Sequence, residues 1–124
     1  MIAGIGTDII EVERVEAKIS KEAGFREFVF SKKEIEYCET KPNKYEHYAA
    51  SFAAKEAFLK ALGTGWTNGL AFNEIEIHHD ENGKPELKVC GMSAEKIEPF
   101  GKLRILISLS HLKSIAMAVV ILEK

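Results

Sequence analysis

Residues 1–12 alternate between apolar and polar with a period of two, as a strand with one covered face does. Ile5, Thr7, Ile9 and Glu11 fall on one side, and Gly4, Gly6, Asp8, Ile10 and Val12 on the other. Residues 13–23 change to a helical period, with Val12, Val15 and Ile19 facing the core and Gly24 as the stop. Phe25, Phe28, Val29 and Phe30 form an aromatic knot, expected inside. Ser31-Lys32-Lys33-Glu34 has capping-box spacing and opens a short helix to about Glu39, broken by Lys41-Pro42-Asn43. The longest helical pattern runs from about Lys44 to Leu62 and stops on Gly63-Thr64-Gly65. After a loop with Trp66 and Asn68-Gly69, residues 72–79 and 85–90 alternate as a hairpin around Asn82-Gly83. A short helix fits residues 93–98, before Pro99. Residues 103–110 and 114–122 are near-continuous apolar runs, expected in the middle of a sheet, joined by a turn holding His111. This order predicts one α+β domain over residues 1–124: an N-terminal strand, helices including one long helix, then an antiparallel β meander packed on it.

Three charges interrupt the long helix. Ala50, Ala54, Phe58, Ala61 and Leu62 fill half its wheel, and Phe52 and Leu59 widen the apolar surface, so little room is left for a solvated face. Lys55, Glu56 and Lys60 nonetheless sit there. A lone buried charge costs several kcal/mol or more, so each needs a partner. An ordinary i, i+4 pair between Glu56 and Lys60 would serve two of them. A site in which Glu56 holds a cation and the lysines hold an anion would serve all three. Asp8 poses a similar question, because it shares a strand face with Gly4 and Gly6. Glycine weakens a strand unless something needs close access to its backbone, and a ligand lying over both glycines would reach Asp8. The plainer alternative is an Asp at an exposed strand end. Two carboxylates suit Mg²⁺, which completes its sphere with water and phosphate oxygens. With lysines beside them and the small Gly63-Thr64-Gly65 loop following, the set suits phosphoryl transfer from a diphosphate.

Composition narrows the partners. A net charge of −2 argues against bulk nucleic-acid binding, so any anion site must be local. No apolar run approaches the ~18 residues of a membrane span and no leader pattern opens the chain, which predicts a cytoplasmic protein without membrane contact. Cys38 and Cys90 are too few for a disulfide framework and are expected to be reduced packing residues. His78 and His79 are adjacent on a strand, face opposite ways, and are expected at the surface without a shared metal. Arg14, Lys18 and Lys21 form a basic stripe edged by Glu22, either a solvated face or a dock for an acidic partner.

Gly4-Ile5-Gly6-Thr7-Asp8-Ile9, Phe52-Ala53-Ala54-Lys55-Glu56-Ala57-Phe58 with Lys60 and Gly63-Thr64-Gly65, the Asn82-Gly83-Lys84-Pro85 turn and Ser108-Leu109-Ser110-His111 together resemble holo-[acyl-carrier-protein] synthase, the short bacterial class of 4′-phosphopantetheinyl transferases. The resemblance runs the whole chain. It implies transfer of 4′-phosphopantetheine from coenzyme A to a serine of apo-acyl carrier protein, in support of fatty acid synthesis, with adenosine 3′,5′-bisphosphate released. Asp8 and Glu56 would be the Mg²⁺ ligands. Lys55 and Lys60 would lie near the phosphates, Gly63, Thr64 and Gly65 along the nucleotide, and His111 in the coenzyme A pocket. Arg14 would dock the acidic carrier protein, with Lys18, Lys21 and the outlying Arg26. A homotrimer is implied, with active sites between subunits. Ser51 departs from the family, which more often has Arg there; Lys55, Lys44 and Lys113 are the candidates to compensate. The general base is left between a metal-ordered water, Glu34 or Glu36, and Lys55. The alternative function is another Mg²⁺-dependent enzyme of nucleotide diphosphates.

Overall fold

Strand β1 (Ile2–Glu11) runs across helix α4 (Lys44–Leu62), and the two meet through their smallest residues. The computed structural model describes residues 1–63 and 69–124. A Cβ on Gly4 would strike the Ala61 carbonyl, and one on Gly6 the Ala57 carbonyl. The space over these glycines therefore belongs to the helix. This corrects the expectation of a ligand there, while supplying the close approach that the glycines required. Helix α4 is covered nearly all round, with Ala53, Ala54, Ala57 and Phe58 wholly buried. It ends at Gly63, whose φ of 79° lets its N–H reach the Leu59 and Lys60 carbonyls.

Helices α1 (Val12–Lys21), α2 (Phe25–Val29) and α3 (Lys32–Glu39) connect β1 to α4. The capping box at the start of α3 is formed: Ser31 N–H donates to Glu34 Oε1 (2.8 Å) and Glu34 N–H to Ser31 Oγ (3.3 Å). The expected aromatic knot divides. Val29 and Phe30 are buried, Phe30 against Tyr48 with ring centroids 4.9 Å apart, whereas Phe28 is exposed.

After α4 come β2 (Ile75–His79), β3 (Pro85–Val89), α5 (Gly91–Lys96), β4 (Arg104–His111) and β5 (Ile115–Glu123). The strands pair antiparallel, as expected of the α+β class, but in two sheets: β1-β5-β4, and the β2-β3 hairpin alone, with β3 beside β4. Only β5 is central. Strand β4 is an edge, which corrects the expectation that both apolar runs lie mid-sheet. Its run is long because Ile105, Ile107 and Leu109 face the interior while Leu106 adds to an apolar outer face. On that face Ile5 pairs with Ile121, Ile9 with Met117, and Leu106 with Ile121. Ile5, Ile9, Leu106, Ile115 and Met117 remain exposed there. The inner face of β5 (Ala116, Ala118, Val120 and Leu122) packs on α4.

Both cysteines are free, and burial pushes the Cys38 thiol up to about 12. Among the described residues, no helix is long and apolar enough to cross a membrane.

Candidate active site

Because β1 and α4 pack glycine to alanine, the residues next to the contact are forced together. Asp8 follows Gly6 on the same strand face, and Glu56 and Lys60 flank Ala57. Lys60 Nζ donates to Asp8 Oδ1 at 3.1 Å and to the Thr7 carbonyl at 3.0 Å. Glu56 lies close enough that partial burial, and then the Asp8 charge, hold its carboxyl above the usual range, against the pull of Lys60. Asp8 and Glu56 share an open cavity of about 360 Å³ with Arg14, Lys18 and Phe52. Two converging carboxylates of like charge at the mouth of a cavity form a donor set for a hard divalent cation. Among the described residues, no third His, Cys, Asp or Glu joins them, so water and ligand oxygens would have to complete such a sphere.

Lys55 has a different fate. Its side chain has no exposed surface, and its three N–H bonds go to Glu34 Oε1 (2.8 Å) and to the carbonyls of Phe72 (2.8 Å) and Ile75 (2.6 Å). Burial draws the ammonium down from its ordinary range, and Glu34 pulls it back up. No donor is left for a phosphate, which corrects the assignment of Lys55 to the phosphates, to proton abstraction and to compensation for Ser51. Glu34 is equally committed: Oε1 also caps Ser31 and Oε2 accepts from Ile77 N–H (2.9 Å), so it is not a free base. Glu36 lines a separate cavity with Arg26, away from Asp8 and Glu56, and is corrected for that reason.

Of the basic stripe, Arg14 and Lys18 border the carboxylate cavity, and Lys21 stands exposed in the last turn of α1. Lys18 pairs with Glu22 at 3.4 Å, as the acidic edge of the stripe anticipated. Arg26 is turned to Glu27 (2.9 Å) and Glu39 (3.4 Å), which neutralises it and takes it out of the stripe. Gly63 caps α4; Thr64 and Gly65 lie outside the described residues.

His111 lines a second cavity of about 420 Å³ that shares no residue with the first. Its Nδ1 is 2.8 Å from Glu46 Oε1, a contact that keeps the Glu46 carboxyl below its usual range. Ser51 and Lys84 line the same cavity. Lys44 pairs with Glu39 at 3.3 Å, and Lys44 and Lys113 line a neighbouring hollow instead.

A family model described as the 4′-phosphopantetheinyl transferase superfamily matches residues 4–120. The chain belongs to this superfamily. It is 45% identical to the holo-[acyl-carrier-protein] synthase of Cytophaga hutchinsonii, over all of this chain and 99% of the relative. Its fold is that of the holo-[acyl-carrier-protein] synthase of Neisseria meningitidis, at a TM-score of 0.89 and 34% identity over the whole of both chains. The synthase from Bacillus anthracis, solved in complex with CoA (3′,5′-ADP), aligns at a TM-score of 0.81 and 35% identity, covering 98% of this chain and 96% of that one.

Within this transferase chain, the His111 cavity holds residues that the sequence reading missed. His47 and Tyr37 line it, and so does His79, taken above for a plain surface residue. One signal was available: His47 and Ser51 are an i, i+4 pair and so occupy one face of α4. His78 does turn the other way, with Nε2 at 2.7 Å from Glu76 Oε1.

Proposed function

We propose that the chain transfers the 4′-phosphopantetheine of coenzyme A to a serine hydroxyl of an apo-acyl carrier protein in the cytoplasm, supplying holo-carrier protein for fatty acid synthesis. One observation carries the reading: in a chain of this superfamily, Asp8 and Glu56 converge from separate elements on one open cavity, with Lys60 donating to the Asp8 carboxylate. Burial, and then the Asp8 charge, hold Glu56 above its usual range, and a divalent cation between the two carboxylates would offset both, so the residues fit Mg²⁺. Bound by Asp8 and Glu56, Mg²⁺ supplies positive charge against the coenzyme A diphosphate. Lys60, more than half exposed, is the cation of the chain itself that can turn to a phosphate oxygen. The serine oxygen bonds to the phosphorus carrying the pantetheine arm as the bond from that phosphorus to the bisphosphate oxygen breaks. With Lys55, Glu34 and Glu36 placed elsewhere, a water ordered at the Asp8 and Glu56 carboxylates is the candidate left to receive the serine proton. Arg14 and Lys18 face an acidic carrier protein from the cavity rim, and Lys21 extends that surface along α1.

We also infer a homotrimer. The apolar outer face of the three-stranded sheet supports it, since exposed apolar patches of that kind mark interaction surfaces. So does the division of the site-bearing residues between two cavities of one chain, which a neighbouring subunit would complete.

Incubation with coenzyme A, Mg²⁺ and an apo-carrier protein should add the mass of one phosphopantetheine to the carrier. Cleavage of the diphosphate with no gain in carrier mass would favour the alternative Mg²⁺ enzyme and overturn the proposal. Light scattering should give the mass of three chains; a monomer at working concentration would overturn the trimer.

A further inference from the structure

We propose that Lys60 is a latch on the cation site: its ammonium holds the Asp8 carboxylate until coenzyme A draws it onto the diphosphate, which releases that carboxylate to the ion. Ion and coenzyme A then bind with positive coupling. The inference rests on the coenzyme A and Mg²⁺ reading above.

Glu56 precedes Lys60 by four residues, so an ordinary helical ion pair was open to the lysine. That pair is not formed. Lys60 Nζ crosses from α4 to β1 and donates to Asp8 Oδ1 (3.1 Å) and to the Thr7 carbonyl (3.0 Å). Glu56, among the described residues, makes no hydrogen bond or ion pair, although it lines the same cavity as Asp8. The two carboxylates therefore differ: one stands ready for a cation, and the other already has its charge offset by an ammonium. No third His, Cys, Asp or Glu among the described residues joins them, so an ion at this site competes with Lys60 for half of the charge the chain offers it.

The contact is built to open. Two of the three ammonium hydrogens are placed on β1, the third is left to solvent, and 57% of the lysine side-chain surface is exposed. An exposed ion pair of this kind is worth a factor of about two to five in an equilibrium. A diphosphate entering the cavity offers the ammonium charged oxygens in place of the carboxylate. It also brings oxygens that suit a hard cation, so Asp8 is released when the rest of the ion's sphere arrives. By linkage, the ion must tighten coenzyme A by the same factor as coenzyme A tightens the ion.

The test uses the intact protein and Mn²⁺, which shares the preference of Mg²⁺ for oxygen ligands and whose free concentration is read by electron paramagnetic resonance. Without coenzyme A, Lys60→Gln and Lys60→Met should each bind Mn²⁺ about two- to fivefold more tightly than the unaltered protein. With saturating coenzyme A and no carrier protein, and after correction for Mn²⁺ held by coenzyme A itself, that gap should close, because the latch is then open in the unaltered protein as well. Arg14→Gln removes an equal charge from the same cavity without breaking a bond to either carboxylate, and should tighten Mn²⁺ less than either Lys60 variant does. No gap in the absence of coenzyme A would overturn the proposal. So would a gap of unchanged size with coenzyme A bound, or an Arg14→Gln effect equal to that of Lys60→Gln, since both are marks of a general field rather than of a contact. Retention of Mn²⁺ by none of these proteins with coenzyme A present would overturn the metal reading itself, and this proposal with it.

Discussion

Lys55 and Lys60 stand five residues apart on α4, and each meets a carboxylate from another element. The resemblance is superficial. Lys55 and Glu34 have 0% and 1% of their side-chain surface exposed, whereas Lys60 and Asp8 have 57% and 16%. Five residues turn a helix by about 140° past a full circle, enough to send one lysine inward and the other to an open cavity. The first pair ties α3, α4 and the start of the hairpin together through Glu34 and the carbonyls of Phe72 and Ile75. The second keeps its charge where a ligand can reach it. Burial commits a charge to the fold, and exposure leaves it free for chemistry.

The sharpest break of this comparison is Lys55→Met. It leaves Glu34 buried without its cation, and removing one partner of a buried pair costs about 3–5 kcal/mol. Urea unfolding should show a loss of that size, with turnover per folded molecule largely retained. Adding Glu34→Gln, which keeps oxygen and N–H groups for its other bonds, should return part of the loss. A stable but inactive Lys55→Met would reverse the roles of the two lysines.

Asp8→Asn and Glu56→Gln should do the opposite. Weakening the carboxylates that would hold the cation facing the developing negative charge should cost about 10²–10³ in turnover, while the melting temperature should hold or rise as the like-charge pair is relieved. Near-normal turnover at low Mg²⁺ in either variant would remove that residue from the metal site.

The motif around residues 52–60 was legible as chemistry, but its division was not. Sequence spacing gives a helix, the charges on it, and the need for partners; it cannot say which charge is enclosed, because enclosure comes from Phe72, Ile75 and Ile77, remote in the chain. The strand glycines show the same boundary. Gly4 and Gly6 plainly called for a close neighbour, and only the packing identifies it as α4. The capping box was readable because all of its atoms lie within four residues. The split into two sheets was hidden because β1 pairs with β5, the last strand of the chain, and neither strand's pattern names its partner.

Proton linkage sharpens the exposed half. The folded-state pKa of Glu56 is raised, so the folded protein binds this proton more tightly than the unfolded chain does. Metal-free protein should therefore gain stability from this residue as pH falls from above the raised value toward the ordinary carboxylate value. Glu39 and Glu46, held below their usual range, run the other way, so the difference between the protein and its Glu56→Gln variant isolates the effect. Mg²⁺ at about a hundred times its dissociation constant should add roughly 2.7 kcal/mol of stability. Glu56→Gln should lose that gain, and a Mg²⁺ shift surviving in it would place the ion elsewhere.

Arg14→Glu probes the rim of the same cavity. It should raise KM for carrier protein about tenfold with little change in kcat, and flatten the dependence on salt. Arg26→Ala should leave KM alone, since Glu27 and Glu39 already neutralise that guanidinium. An equal effect of the two would return Arg26 to the docking surface.

The smallest stability change belongs to Lys60→Gln. Its ion pair is more than half exposed on the lysine side, and such pairs contribute about 0.2–1 kcal/mol. Part of this loss is the repulsion of Asp8 and Glu56, which Lys60 no longer counters. Mg²⁺ supplies that counter-charge, so the variant should approach the stability of the unaltered protein as the ion is added, while its turnover stays low. A loss from Lys60→Gln as large as that from Lys55→Met, and not relieved by Mg²⁺, would mean that both lysines hold the fold and that the open cavity has no cation of its own.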